Sequence, residues 1–113
     1  MDDTTTSPGR PVPIPVRRGA QKIGTDLATW RRLRGLTAEE VANRAGVSRR
    51  TLVALESGAG NARLETILRV ARVLGVLDDV VSAFDPYNSD IGRLRADERL
   101  PRRVRRPRPP GAA

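Results

Sequence analysis

A small all-α bundle is the fold this sequence predicts, on three observations. Apolar residues recur three and four apart through most of residues 25–84. Helix-start and helix-stop residues punctuate that pattern at Thr37, Ser48, Gly35, Gly46 and Gly75. Finally, 113 residues with 3% aromatic content allow one small domain whose core is Leu, Val, Ile and Ala.

The first helix is expected from Thr25, where LATWRRLRG sets Leu27, Trp30 and Leu33 on one face and ends at Gly35. Trp30 is assigned to the core, and Arg31, Arg32 and Arg34 to an exposed face. Thr37 and Glu40 form a capping box, in which hydroxyl and carboxylate each satisfy an orphan backbone N–H, so a second helix starts at Ala38. Val41, Ala42 and Ala45 are its inward residues, and Ala42 is small enough for another helix to cross closely. Gly46 ends it because glycine accepts a positive φ without steric cost, and Val47 turns back toward the core.

Ser48 caps a third helix, 49–57, in which Leu52 and Leu55 face inward. Arg49, Arg50, Val53 and Ala54 are left facing outward. Two cations near a helix N-terminus oppose the helix dipole, which argues for a purpose other than helix stability. Gly58, Gly60 and Asn61 form a loop, and LETILRVARVLG a fourth helix whose Leu64, Ile67, Leu68, Val70, Ala71 and Leu74 make a wide apolar stripe. Leu77, Val80, Val81 and Phe84 give a short fifth helix, ended by Asp85-Pro86.

Outside these five helices the composition changes. Residues 1–18 contain Pro8, Pro11, Pro13 and Pro15 and read as a flexible, non-helical arm; 19–85 read as the folded domain; 86–113 read as a disordered Arg/Pro-rich tail. Ile91, Leu94 and Leu100 in that tail offer too little apolar surface to order it alone. The net charge of +8 divides as +1, +2 and +5 over these three segments, so over half of the excess lies in the tail. A polyanion partner is implied for the whole chain, though the pI by itself does not assign that partner to the domain.

The absence of Cys and His removes disulfides, thiol nucleophiles, common zinc sites and the usual general base, and no cofactor or metal is expected. Two acidic pairs, Glu39-Glu40 and Asp78-Asp79, are adjacent on helices and so point about 100° apart, too divergent to converge on one substrate atom. An enzyme is therefore not expected. No apolar run approaches the roughly 20 residues of a membrane span, and MDDTTTSPG lacks a signal-peptide apolar region, so a cytoplasmic protein is expected.

The run Leu36-Thr37, Val41-Ala42, Gly46-Val47-Ser48, Leu52, Leu55-Glu56 and Gly58, followed by LETILRVARVLGV, resembles the Cro/Xre family of bacterial and phage repressors over residues 23–84. That resemblance implies a five-helix bundle whose third helix enters the major groove of duplex DNA. It also implies that Arg49, Arg50, Val53 and Ala54 face base edges, while Ser48, Thr51, Asn61 and Arg63 anchor phosphates. The chain departs from the pattern at Ala38, where a glutamine commonly helps hold a phosphate, and at Ala62, where many members have proline. A homodimer on a palindromic site is expected, with its contact around helix five. The basic extension gives a second resemblance, to antitoxins of the HipB kind, which pair with HipA-type kinase toxins and repress their own operon.

Overall fold

The computed structural model describes residues 10–100. Their regular structure is helical throughout, with six α-helices and one 3-10 turn. The helices are α1 (Ile14–Leu33), α2 (Ala38–Ala45), α3 (Arg49–Glu56), α4 (Leu64–Leu74), α5 (Leu77–Ala83) and α6 (Asp90–Arg99), with the turn at Pro86–Asn88. The chain divides into two compact units, Met1–Leu77 and Asp78–Ala113. Among the described residues, no helix is long and apolar enough to cross a membrane.

In the first unit, α2 packs on both α3 and α4, and α1 packs on both α3 and α4. The core between them is aliphatic: Leu27 and Ala28 of α1, Val41, Ala42 and Ala45 of α2, Leu52 and Leu55 of α3, Val70, Ala71 and Leu74 of α4, with Val76 beyond. These are positions that helical spacing selected in α2 and α3. In α4 the buried stripe is narrower than the apolar pattern, since Leu64 is exposed and Ile67 and Leu68 are half-buried. Leu64 is the first residue of α4, where the helix has emerged from the loop but not yet reached the core.

Helix α1 corrects the expected start at Thr25 and the non-helical reading of residues 14–18: it begins at Ile14, with Pro13 as N-cap and a proline in the first turn. A proline there removes no intrahelical hydrogen bond, because the first N–H groups of a helix have no partner inside it. The Pro13 carbonyl instead accepts from the Val16 and Arg17 N–H groups, both at 3.0 Å. The inward stripe of α1 is Gly24, Leu27 and Ala28, so the expected inward placement of Leu33 fails at 71% exposure. Trp30 is likewise exposed and lies beneath the Arg34 guanidinium, 5.8 Å from the ring centroid, rather than in the core. Residues 1–9 of the expected arm lie outside the described residues.

The second unit corrects the expectation of a disordered 86–113 segment within its described part, and the helix count rises from five to six. Asp85 caps the 3-10 turn by accepting from the Tyr87 N–H at 2.9 Å, and Ser89 caps α6 by accepting from the Gly92 N–H at 2.9 Å. Arg93 donates to the Tyr87 carbonyl at 2.7 Å and pairs with Asp90. Local capping, more than apolar burial, defines this segment: only Ala96 of α6 is buried. Phe84, expected at the end of the fifth helix, follows its last residue and is 83% exposed. Residues 101–113 lie outside the described residues.

Candidate nucleic-acid interface

The α2–α3 pair is built by local rules. Thr37 accepts from the Glu40 N–H at 3.1 Å while the Glu40 carboxylate accepts from the Thr37 N–H at 2.8 Å, closing the capping box. The Thr37 backbone N–H, and then its hydroxyl, hold the Glu40 carboxyl below its ordinary value. At the far end Gly46 adopts φ 72°, and the Val47 N–H returns to the Ala42 carbonyl at 3.0 Å. Arg69 of α4 completes that terminus, donating to the Ala45 carbonyl at 3.2 Å and to Glu65 at 2.9 Å.

Ser48 then opens α3. Its hydroxyl accepts from the Thr51 N–H at 3.0 Å and donates to the Thr51 hydroxyl at 2.8 Å. With Leu52 and Leu55 buried, α3 exposes Arg49, Arg50 and Val53, while Ala54 is half-buried. An eight-residue helix is about 12 Å long, close to the width of the major groove.

The orientation of α3 is fixed from α1. Arg31 makes a two-pronged contact with Glu56, Nε to Oε2 at 2.9 Å and Nη2 to Oε1 at 3.1 Å, and donates through Nη1 to the Leu36 carbonyl at 3.1 Å. Both side chains are largely covered, at 16% and 14% exposure. The hydrogen bond to Glu56 raises the Arg31 guanidinium above its ordinary value, outweighing the opposite effect of burial. Arg31 was expected on an exposed face; it instead ties the C-terminal half of α1 to the last residue of α3.

Beside α3 lies a cleft of about 390 Å³ lined by Ser48, Thr51, Ala54, Asn61 and Arg63, with Val47, Leu55, Ala62 and Thr66. All four residues expected to anchor phosphates therefore share one concavity, flanking the exposed face of α3. Ala54, expected among the base-facing residues, lines this cleft. The first turn of α4 opens beside it: Arg63 is the N-cap and no side chain caps the helix. Thr66 is the polar lining residue that the sequence reading missed; a hydroxyl in the first turn of α4, three residues after Arg63, was its available signal.

Comparison with known proteins accords with this geometry. The helix-turn-helix family model matches residues 27–79. An uncharacterised HTH-type transcriptional regulator of Sinorhizobium fredii is 43% identical over 54 residues, which cover 48% of this chain and 70% of the relative. Another, from Methanocaldococcus jannaschii, is 36% identical over 55 residues, covering 48% of this chain and 83% of the relative. A third, from Methanothermobacter thermautotrophicus, is 51% identical over 41 residues, covering 36% of this chain and 59% of the relative. No solved structure matches the chain.

Proposed function

The chain belongs to the Cro/Xre-type helix-turn-helix family of DNA-binding transcriptional regulators, and on that premise we propose that it is a sequence-specific repressor that places α3 in the major groove of duplex DNA. One observation carries this reading: a short exposed helix opening with Arg49 and Arg50 lies beside a single cleft that gathers Ser48, Thr51, Asn61 and Arg63. Phosphate contacts fix register, and side chains at base edges read sequence. The hydroxyls, amide and guanidinium of the cleft, with the uncapped start of α4, supply donors for the first task. Arg49 and Arg50 supply the second, with guanine O6 and N7 as the commonest target of a two-pronged arginine, and Val53 supplies apolar contact to a thymine methyl.

The test is selection of a duplex from a random pool, followed by Arg49→Ala and Arg50→Ala. A bidentate arginine is worth about 1 to 3 kcal/mol of discrimination at its guanine. The corresponding variant should lose that preference while melting like the parent, since both side chains are exposed. If both variants bind the selected duplex as tightly and selectively as the parent, α3 is not the reader.

An antitoxin role is the second reading, supported by α6, which carries Ile91 and Leu94 exposed on a capped helix, with Leu100 exposed just after it. Under that reading a HipA-type kinase covers these side chains. Leu94→Asp should then abolish a purified complex with the kinase and leave operator binding intact; retention of the complex would overturn it.

A further inference from the structure

We infer that the first turns of α1, carrying Arg17 and Arg18, form a second phosphate-binding surface that lengthens the contact with duplex DNA beyond α3 and its cleft. This rests on the DNA-binding reading above and extends it to a part of the chain that precedes the stretch matched by the family model, 27–79.

The packing of α1 shows where its support ends. At Gly24 an added Cβ would lie 2.5 Å from the Leu55 carbonyl oxygen and 2.7 Å from that of Glu56, so α1 touches the backbone of α3 there. One turn earlier, a Cβ on Gly58 would lie 2.6 Å from the Gln21 Cα, and one on Gly60 would lie 3.7 Å from the Ala20 Cβ. Among the described residues, the approach of Gly60 to Ala20 is the one of these nearest the start of α1, and Ile14–Gly19 extends past it by about 9 Å of helix. Burial of a core does not explain these turns: residues 14–18 are all exposed.

Direction follows from helical geometry. Arg17 lies within about 40° of Gln21, Gly24, Ala28 and Arg31 around the axis, the stripe that meets α3 and its loop. Helical side chains lean toward the N-terminus, so Arg17 reaches outward along that same side. The loop it passes, Gly58 to Arg63, contributes Asn61 and Arg63 to the cleft beside α3. Arg17 therefore continues the row of donors, and Arg18, about 100° further around the axis, widens the cationic surface beside it.

Charge selects the occupant. From residue 10 to residue 25 the chain has Arg10, Arg17, Arg18 and Lys22 and no carboxylate; Lys22 is bound to Asp26 at 2.8 Å. Arg17 and Arg18 are exposed and no carboxylate stands within the turns that carry them, so no ion pair along α1 accounts for their charge. A row of phosphates does, because it is the complement of a carboxylate-free cationic segment.

The experiment compares the full chain with Arg17→Ala/Arg18→Ala and with Arg17→Lys/Arg18→Lys, on the selected duplex and on an unrelated duplex of equal length, over a range of salt concentrations. Each neutralised phosphate contributes about 0.9 to the slope of log K against log salt. The alanine pair should flatten the slope by about that much per arginine on both duplexes, with the preference between them and the melting temperature unchanged. The lysine pair should keep the parent slope. Equal slopes for parent and alanine pair would overturn the inference, as would a changed sedimentation coefficient with an unchanged slope, which would assign these turns to a second copy of the chain. If the parent lacks sequence preference, the reading of α3 fails while the slope comparison still decides this surface; if the parent binds no duplex, both fail.

Discussion

Arg31 and Glu56 show why the position of a reading helix depends on residues that touch no ligand. Glu56 is the last residue of α3, and Arg31 holds it from α1 with two hydrogen bonds while a third goes to the Leu36 carbonyl. Removing Glu56 leaves a mostly covered guanidinium with one remaining acceptor. Exposed pairs are worth under about 1 kcal/mol and breaking fully buried ones costs about 3 to 5, so Glu56→Ala should cost about 2 kcal/mol at this intermediate cover. Urea denaturation checks the figure, and Glu56→Gln should recover part of the loss. Leu52, with no exposed surface, tests the other face of the same helix: Leu52→Ala should cost roughly 2 to 5 kcal/mol through lost burial and a residual cavity. Leu52 was legible in the sequence because the signal, helical spacing from Leu55, is local. The Arg31–Glu56 pair was not, because its partners are 25 residues apart and no periodicity links them.

At the scale of the element, caps decide where helices begin, and they are legible where a Ser or Thr cap precedes a helix with a clear apolar stripe. Thr37 and Ser48 meet that condition, whereas α1 starts eleven residues before Thr25 because a proline in the first turn starts a helix that prolines further along would exclude. Helix α6 fails that condition, since its Ser89 cap is a local signal but its face buries almost nothing. The cleft beside α3 was legible only as four separate residues; bringing Asn61 and Arg63 beside Ser48 and Thr51 requires the packing of α4. A cap also predicts a pH dependence. Because the folded state lowers the Glu40 carboxyl below its ordinary value near 4.5, the capping box stabilises fully above that value, and the contribution is lost as pH falls through the folded value. Glu40→Gln preserves an acceptor but not the charge, so it should flatten the acid limb of stability against pH. Thr37→Ala should cost about 1 kcal/mol at neutral pH. An acid limb identical in parent and Glu40→Gln would show that the carboxylate adds nothing to the cap.

For the whole molecule, the short length of α3 sets the requirement. One such helix meets few base pairs, and a single module of this kind buries about 600 to 1,000 Å² on DNA, the low end for specific recognition. If a second copy binds across a two-fold axis, it doubles the contact, and the operator is then palindromic with half-sites about one helical turn, near 10 bp, apart. A candidate surface for that copy lies in the second unit, where Val81 on α5 and Phe84 after it are exposed. Replacing Phe84 by Asp would place a charge where a partner's apolar surface is expected, and should shift the protein to monomer and remove any dependence of its melting temperature on protein concentration. Operator affinity should fall with it, because each half-site would then be filled independently, and the footprint should contract from two half-sites to weak occupancy of one. Sedimentation and footprinting on the same duplex separate the outcomes. A parent chain that sediments as a monomer on one short asymmetric site would exclude the two-fold arrangement, and would require the projecting turns of α1 to provide the additional contact within a single copy.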